Sequence, residues 1–151
     1  MSQRHELDVV ELQQCLASRV PDISPFVDQL MRSLKPCIER SRDGDGSDVD
    51  IAIAVSEAIA NAVIHGNHEN PHKWVYVDCR CNLEGEVTIT VRDEGEGFEL
   101  SSLPDPTDEA HLMLAHGRGI RMMQALMDEV TFQEHGTVDE MRKLPGARSR
   151  P

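Results

Sequence analysis

Apolar positions recur along the chain with two periods, and each period predicts its own kind of element. From Ser24-Pro25 onward the spacing is helical, with apolar residues at Phe26, Val27, Leu30, Met31, Leu34 and Ile38. A serine N-cap followed by proline predicts that the helix begins there, and Pro36 predicts a kink or an early end. Residues 12–17, which come earlier, fit a short strand.

A second helix is predicted over residues 48–65. Its broad apolar side consists of Ile51, Ala52, Val55, Ala58, Ile59, Ala62 and Val63. Glu57, Asn61 and His65 recur at every fourth position, so their side chains should line one stripe of the helix. Gly66 and the polar residues that follow it end the helix.

Alternation with a period of two predicts a β-hairpin in the middle of the chain. Its buried face should consist of Val75, Val77, Cys79, Cys81 and Leu83 on one strand, and Val87, Ile89 and Val91 on the other. A third helix is predicted over residues 119–128, and a last hairpin over 130–133 and 137–141. In the last strand Asp139 and Glu140 interrupt the alternation. The pattern therefore does not define the sheet edge or a partner surface there.

These elements predict one α+β domain over residues 1–151, with a core at about 12–143 and a basic tail at 145–151. The architecture is a two-layer α/β sandwich, in which a mostly antiparallel sheet carries helices on one face. The long stretch at 99–116 is rich in proline and acidic residues. A stretch of that length predicts a functional lid or a disordered loop.

Composition excludes several classes of function. The chain has 27 acidic and 15 basic residues and a net charge of −12, so it should not bind nucleic acid or anionic lipid electrostatically. No apolar run approaches the roughly 20 residues that cross a bilayer, and the start of the chain does not resemble a secretory signal. The four cysteines show no CxxC spacing and no dense framework, which favours a reducing cytoplasm over a disulfide-bonded protein.

Three short segments could carry chemistry together. They are Glu57-Ala58-Ile59-Ala60-Asn61, which continues to His65-Gly66-Asn67; Asp93-x-Gly95-x-Gly97; and Gly117-Arg118-Gly119. An amide oxygen is a hard ligand suited to Mg²⁺, and a carboxylate one helical turn away can orient a hydroxyl. Glycines before a helix expose N–H groups that favour anions. No P-loop and no GxGxxG segment after a strand occurs, so a nucleotide site here must be of another kind.

The order and setting of these segments resemble the N, G1 and G2 boxes of the GHKL (Bergerat-fold) ATPase superfamily. Within it, the chain is most similar to the small anti-sigma-factor serine kinases of bacterial stress and sporulation switches. The resemblance covers residues 21–143 and is most specific at 56–67, 91–98 and 116–130. It implies a Bergerat-type sandwich of the histidine-kinase-like ATPase kind, with a lid over ATP.

The resemblance also implies a role for each polar residue that matches. Asn61 would coordinate the Mg²⁺ that bridges the ATP phosphates, and His65 would lie near those phosphates. Asp93 would accept a hydrogen bond from the adenine amino group. Glu57 would be the general base that takes the proton from an attacking serine hydroxyl.

Glycines and one arginine complete the implied binding set. Gly95 and Gly97 would let the backbone pass close to the base. Gly117, Arg118 and Gly119 would wrap the triphosphate under the lid.

The function implied by the resemblance is a cytoplasmic, Mg²⁺- and ATP-dependent serine/threonine kinase that also acts as an anti-sigma factor. It would phosphorylate a small antagonist protein, sequester a sigma factor in a partner-switching pathway, and work as a homodimer. Two alternatives remain open from the residues. One is a non-catalytic nucleotide-sensing module that binds proteins, and the other is a detached catalytic domain of a two-component histidine kinase.

Two other clusters point less strongly to metals. His65, His68 and His72 could suggest zinc, but they straddle a helix end and a turn that contains proline, which favours polar loop histidines. An acidic stretch suggests a calcium loop, but Asp48 stands where the EF-hand pattern needs glycine and Ala54 where it needs glutamate.

Overall fold

A five-stranded sheet with helices packed on one face forms the described part of the computed structural model, which covers residues 10–41, 46–96 and 119–145. The strands are β1 (Val10–Ala17), β2 (Trp74–Cys81), β3 (Val87–Arg92), β4 (Glu129–Gln133) and β5 (Val138–Lys143). The helices are α1 (Ile23–Ser41), α2 (Ser47–Asn61) and α3 (Gly119–Leu126).

The strands lie in the order β1-β2-β3-β5-β4, and every neighbouring pair is antiparallel. The predicted α+β fold with helices on one side of an antiparallel sheet is therefore confirmed. β5 lies between β3 and β4, so it is an interior strand and not an edge. Asp139 on β5 stands opposite Val91 on β3 and Phe132 on β4.

The core forms between the alternating inner positions of the sheet and the apolar sides of the helices. Val75, Val77 and Cys79 of β2 are almost fully buried, and the residues between them are exposed. α2 contributes Ile51, Val55 and several other side chains of zero exposure. Burial of this kind is the main term that stabilises such a sandwich, because each fully buried aliphatic side chain contributes about 1.5–3 kcal/mol.

Helix α1 differs from its prediction at both ends. It begins at Ile23, directly after a 3-10 turn at Val20–Asp22, so Ser24 lies inside the helix and is not its cap. Pro36 does not end the helix, which continues to Ser41. Pro36 is on the exposed side, while Leu34 and Ile38 beside it are buried, and their packing offsets the hydrogen bond that proline removes.

The predicted buried face of the hairpin also ends earlier than expected. Leu83 was predicted to continue it, but β2 ends at Cys81 and Leu83 is 41% exposed in the turn. The amide of Asn82 organises that turn, because its oxygen accepts hydrogen bonds from the N–H groups of Glu84 and Glu86. An Asx turn of this kind competes with continuation of the strand.

The last turn after α2 is wider than an α-helical turn. Residues Ala62–Gly66 form a π-helical turn, in which the N–H of Asn67 donates to the carbonyl oxygen of Ala62 at 2.8 Å. Single π turns inside helices occur frequently at functional sites. The α-helical stripe therefore holds for Glu57 and Asn61, while His65 lies in a turn with a different period.

The helical segment Ser47–Gly66 is the only described one with the length and hydropathy of a membrane-spanning helix. Its apolar side belongs to the core between the sheet and the other helices. Core helices of globular proteins meet the same criterion, so this segment is weak evidence for a membrane span.

A disulfide joins Cys37 on α1 to Cys81 at the end of β2, with 6.4 Å between their Cα atoms. The expectation of cysteines without a disulfide, drawn from their spacing, was wrong for this pair. Their sequence separation of 44 gives no spacing signal, and only the packing of α1 over β2 brings them together. Cys79 is buried and Cys15 is exposed, and both are free thiols.

We expect the disulfide to contribute about 2–4 kcal/mol to the free energy of unfolding, because it closes a long loop in the unfolded chain. Urea unfolding of the wild type should shift to lower urea in the presence of dithiothreitol, while Cys37→Ala should not respond to it. Cys15→Ser is the matched control and should respond as the wild type does. Alkylation of the denatured, unreduced protein should label two thiols; four labelled thiols would contradict the bond.

Candidate functional site

Three of the predicted site residues meet where α2 and α3 pack together. Glu57 and Asn61 lie one turn apart on α2, and Gly119 begins α3 beside them. A Cβ atom added at Gly119 would lie 2.9 Å from the Asn61 amide nitrogen and 3.2 Å from a Glu57 carboxylate oxygen. The absence of a side chain at Gly119 therefore leaves room for both polar groups at the first turn of α3.

The side-chain nitrogen of Asn61 is a polar atom that the described part of the chain leaves unsatisfied. It is buried and has no hydrogen-bond partner among the described residues. A buried polar group without a partner costs about 1–3 kcal/mol, so such a group is explained best by a ligand that pairs with it. An asparagine amide beside a carboxylate fits Mg²⁺ and phosphate oxygens, since the amide offers one hard oxygen and one N–H₂ donor.

A second group of predicted residues meets where β3 ends. A Cβ atom at Gly66 would overlap the Asp93 carboxylate, and one at Gly95 would overlap the Gly66 carbonyl oxygen. The N–H of Gly95 donates to Asp93 at 2.8 Å. The end of the α2 segment and the loop after β3 thus touch at their glycines, with the Asp93 carboxylate between them.

Asp93 is only partly accessible, and its charge is balanced by several groups. Burial raises the pKa of Asp93, while the N–H of Gly95 and the nearby charges of Lys73 and His68 lower it, and the net shift is upward. A partly desolvated carboxylate with one oxygen bound to its own loop can accept a hydrogen bond from a ligand amino group.

Asn67 holds this end of the site in place. It is 1% exposed, and its amide nitrogen donates to Ser18 at 2.8 Å and to the Trp74 carbonyl oxygen at 3.0 Å. Its amide oxygen accepts from the N–H of Glu94 at 2.8 Å. Ser18, which is also fully buried, donates onward to the Lys73 carbonyl oxygen at 2.8 Å.

Asn67 was singled out from the sequence without a role. Its position in the segment His65-Gly66-Asn67 was the available signal, whereas its partners Ser18 and Glu94, which follow β1 and β3, are visible only in the structure. The backbone after it is strained, because His68 and Glu69 have φ angles of 54° and 56° without being glycine.

A cavity of about 200 Å³ opens beside the Asp93 carboxylate. It is lined by His65, Gly66, His68, Lys73, Gly95 and Glu96. His65, expected near the phosphates, is thus next to Gly66 and Gly95 and does not share the contact of Glu57 and Asn61 with Gly119. Its predicted role stays a prediction.

Three predicted residues, Gly97, Gly117 and Arg118, lie outside the described residues. The predicted lid at 99–116 also lies outside them, as does most of the tail at 145–151 and half of the acidic stretch that suggested calcium. Within the described ranges no three histidine, cysteine, aspartate or glutamate side chains come together as a metal-binding group.

Asp139 interrupts the predicted alternation of the last strand, and it lies near this site. It is 8% exposed and faces the helices, two residues after Thr137, whose carbonyl oxygen accepts from the N–H of Asp93 at 3.0 Å. Burial raises the pKa of Asp139 to about 8, and the like charge of Asp93 adds to the rise. The interruption therefore marks a buried carboxyl group near Asp93 on an interior strand.

A sequence profile described as the histidine kinase-like ATPase domain matches residues 20–143. The chain belongs to this family. The resemblance to GHKL ATPases is thereby confirmed, and membership of this ATPase family implies ATP binding.

Curated relatives of this ATPase domain are named as anti-sigma factors and serine kinases. An anti-sigma F factor from Heyndrickxia coagulans is 43% identical over 95 residues, which are 59% of this chain and 64% of the relative. The alignment thus spans somewhat less than two thirds of that protein. The serine-protein kinase RsbW from Staphylococcus aureus is 29% identical over 132 residues, or 83% of each chain. The relatives confirm the predicted likeness to anti-sigma-factor serine kinases.

A solved structure shares the fold of this ATPase domain. The crystal structure of the RsbU and RsbW domains of Rv1364c from Mycobacterium tuberculosis matches with a TM-score of 0.59 and 20% sequence identity. The match covers 90% of this chain and 32% of the other. At this identity the match shows the fold and nothing more.

We expect Gly119→Ala to weaken ATP binding while the domain stays folded. The new methyl group would displace the Asn61 and Glu57 side chains, whereas alanine is the better helix former by about 1 kcal/mol. Calorimetric titration with ATP measures the affinity, and thermal unfolding measures the stability. Gln124→Ala, at an exposed position on α3, is the control, and an unchanged affinity in Gly119→Ala would contradict the contact.

We expect Asn67→Ala to lower the free energy of unfolding by about 2–3 kcal/mol, because it leaves several buried groups without partners. Asn70→Ala is the matched control three residues away, where the side chain accepts a single exposed hydrogen bond from the N–H of His72. Its cost should stay below about 1 kcal/mol. Urea unfolding compares the two, and equal losses would show that the Asn67 network contributes nothing special.

Proposed function

We propose that this protein is a Mg²⁺- and ATP-dependent serine/threonine kinase and an anti-sigma factor in a partner-switching pathway. It phosphorylates a small antagonist protein on serine and sequesters a sigma factor. The observation that carries the proposal is the meeting of Glu57, the unpartnered Asn61 amide and Gly119 at the first turn of α3. The names of the relatives support the same function.

The two groups of residues bind the two ends of ATP in this proposal. Asn61 is a ligand of Mg²⁺, and Gly119, together with Gly117 and Arg118, lies along the phosphates. Bound Mg²⁺ supplies positive charge that offsets the phosphates in a protein whose net charge is −12. Asn61 holds that charge at the junction of α2 and α3, next to the carboxylate of Glu57.

The base of ATP lies at the other end of the pocket. Asp93 accepts a hydrogen bond from the adenine amino group, and Gly95 and Gly97 let the backbone approach the ring. His65 lines the cavity on this side, and the buried amide of Asn67 keeps the loop of Asp93 in position. Because the Asp93 carboxylate is already half-buried, it has lost part of its water before the base binds, and the contact with the base displaces only the rest.

Glu57 is the general base for the reaction. Its carboxylate takes the proton of the serine hydroxyl as the serine oxygen bonds to the terminal phosphorus, and ADP leaves with the bridging oxygen. A carboxylate next to the metal ligand is in a suitable position for this step, and a positioned general base contributes typically 10²–10⁴ in rate.

Further parts of the proposal come from the resemblance and the relatives. The protein acts in the cytoplasm, in regulation of transcription, as a homodimer with a single domain at residues 1–151. The Cys37–Cys81 bond argues against a cytoplasmic location, because disulfides are rare in a reducing cytoplasm. Thiol counting on protein taken directly from cells would therefore test the compartment together with the bond.

Two alternatives use the same pocket. A nucleotide-sensing module without catalysis would bind ATP and change its affinity for a partner, and Glu57 would then contribute only to structure or metal binding. A detached histidine-kinase catalytic domain would transfer phosphate to histidine, which is labile in acid, whereas phosphoserine is stable there. The acid stability of the labelled product thus separates the histidine-kinase alternative from the proposal, and the absence of any labelled product would indicate the nucleotide-sensing module.

We expect Glu57→Gln to keep Mg²⁺-dependent ATP binding and to lose phosphotransfer by about 100-fold or more. Asn61→Ala should lose the Mg²⁺-dependent part of binding itself. Ser56→Ala is the matched control on the same helix, where the hydroxyl bonds only to the Ala52 carbonyl oxygen at 2.8 Å. Calorimetry measures binding, and transfer of labelled phosphate to a purified small antagonist protein from the same source measures catalysis.

Each result separates one reading from the others. Unchanged transfer in Glu57→Gln would remove Glu57 from the role of base. Binding without transfer in the wild type would favour the nucleotide-sensing module. An absence of ATP binding in the wild type, with and without Mg²⁺, would contradict the whole proposal.

A further inference from the structure

Two carboxyl groups lie near each other at the end of β3, one of them buried (Asp139) and the other partly buried (Asp93). Asp139 stands opposite Val91 in the ladder between β3 and β5, and Asp93 follows two residues after Val91. Side chains two positions apart on a strand share one face of the sheet, and the diagonal neighbour across an antiparallel pair is within reach. Both carboxyl groups therefore point toward the helix side and lie next to each other.

The surroundings of the two groups differ in a way that decides which one holds a proton. Asp93 receives the N–H of Gly95 and has Lys73 and His68 nearby, all of which favour its charged form. Asp139 is 8% exposed and lies opposite Val91 and Phe132, and its carboxyl group has no hydrogen bond or ion pair to another described side chain. Two adjacent carboxyl groups shielded from water do not both ionise readily, and Asp139 is the more buried of the two, so the proton belongs on Asp139.

Other titratable groups lie on the elements around β5, but they do not take part in this pair. They are Glu57 on α2, Arg121 on α3, and Glu134 and His135 in the turn between β4 and β5. Among the described charges, Asp93 is the one that acts on Asp139. The protonation of the two aspartates therefore depends on their effect on each other and on Lys73 and His68 beside Asp93.

We propose that Asp139 is a positioning residue for the nucleotide base, which acts through Asp93 and does so only while the Asp139 carboxyl is protonated. This inference rests on the proposed function, in which Asp93 accepts the adenine amino group. A protonated Asp139 leaves Asp93 as the single negative acceptor at this end. An ionised Asp139 adds a second charge, which repels Asp93 and raises the desolvation cost when the base covers both groups.

The expected pH dependence follows from the sign of these effects. Because the pKa of Asp139 in the free protein is about 8, the group is protonated at pH 7 and ionised at pH 9.5. Nucleotide binding favours the protonated form, so by linkage it raises the pKa of Asp139 further. If that rise is about one unit, the dissociation constant increases about seven-fold from pH 7 to pH 9.5, toward a limit of about ten-fold at higher pH.

The experiment is a calorimetric titration of ADP in excess Mg²⁺ between pH 7 and pH 9.5, with the wild type, Asp139→Asn, Asp139→Val and Asp93→Asn. We expect the wild-type dissociation constant to rise about seven-fold over this range, as that linkage predicts. Asp139→Asn, which resembles the protonated acid, should match the wild type at pH 7 and change less than about two-fold. Asp139→Val, a second neutral variant suited to a strand, should have an equally flat profile. A slope in both variants equal to that of the wild type would overturn the proposal.

A ligand-free readout separates this inference from the proposed function. In protein labelled with ¹³C at aspartate carboxyl carbons, the resonance that Asp139→Asn removes should titrate well above pH 6, and Asp93→Asn should lower its midpoint. A midpoint below pH 6 would overturn the proposal even if ADP binds. ADP affinity that is unchanged in Asp93→Asn would instead remove Asp93 as the acceptor, and the role of Asp139 in positioning the base would fall with it.

Discussion

The buried amide of Asn67 is the interaction on which the base-binding half of the site depends. It joins the residue after β1, the start of β2 and the loop after β3 through Ser18, Trp74 and Glu94, while the backbone N–H of Asn67 donates to Ala62. Two of the partners of the side chain are backbone groups and the third is a fully buried hydroxyl, so the amide satisfies polar groups from three separate segments. Asp93 is adjacent to Glu94. Its position is therefore set by hydrogen bonds that all depend on the one Asn67 side chain.

The phosphate-binding half relies on a different physical principle. There the first residue of α3 has no side chain, and Gly119 leaves a gap that the Glu57 and Asn61 side chains face. One half of the site is fixed by satisfied polar groups, while the other keeps a polar atom unsatisfied in the described residues. Such a division is typical of proteins that bind a ligand firmly at one end and act on it at the other.

In the described ranges, periodicity was sufficient to predict the five strands, the three α-helices and the antiparallel sheet, since most buried side chains follow a period of 2 or 3.6. The failures have specific causes. Pro36 did not end α1 because the packing of Leu34 and Ile38 outweighs one lost hydrogen bond, and the π turn after Asn61 has no signature in the residues. The residues Glu57, Asn61 and Gly119 could be singled out by type and order. Asn67 and Asp139 could not be assigned, because their partners come from strands distant in sequence.

The bond between Cys37 and Cys81 turns part of the chain into a closed covalent ring. That ring contains all of α2, the π turn and Asn67, and therefore most of the polar side chains of the described site. A peptide bond cut between α1 and α2 would open the ring into a linear tether without releasing either piece. The site-bearing segment is thus attached to the rest of the molecule by two covalent paths, and a chain nicked between α1 and α2 stays one covalent molecule.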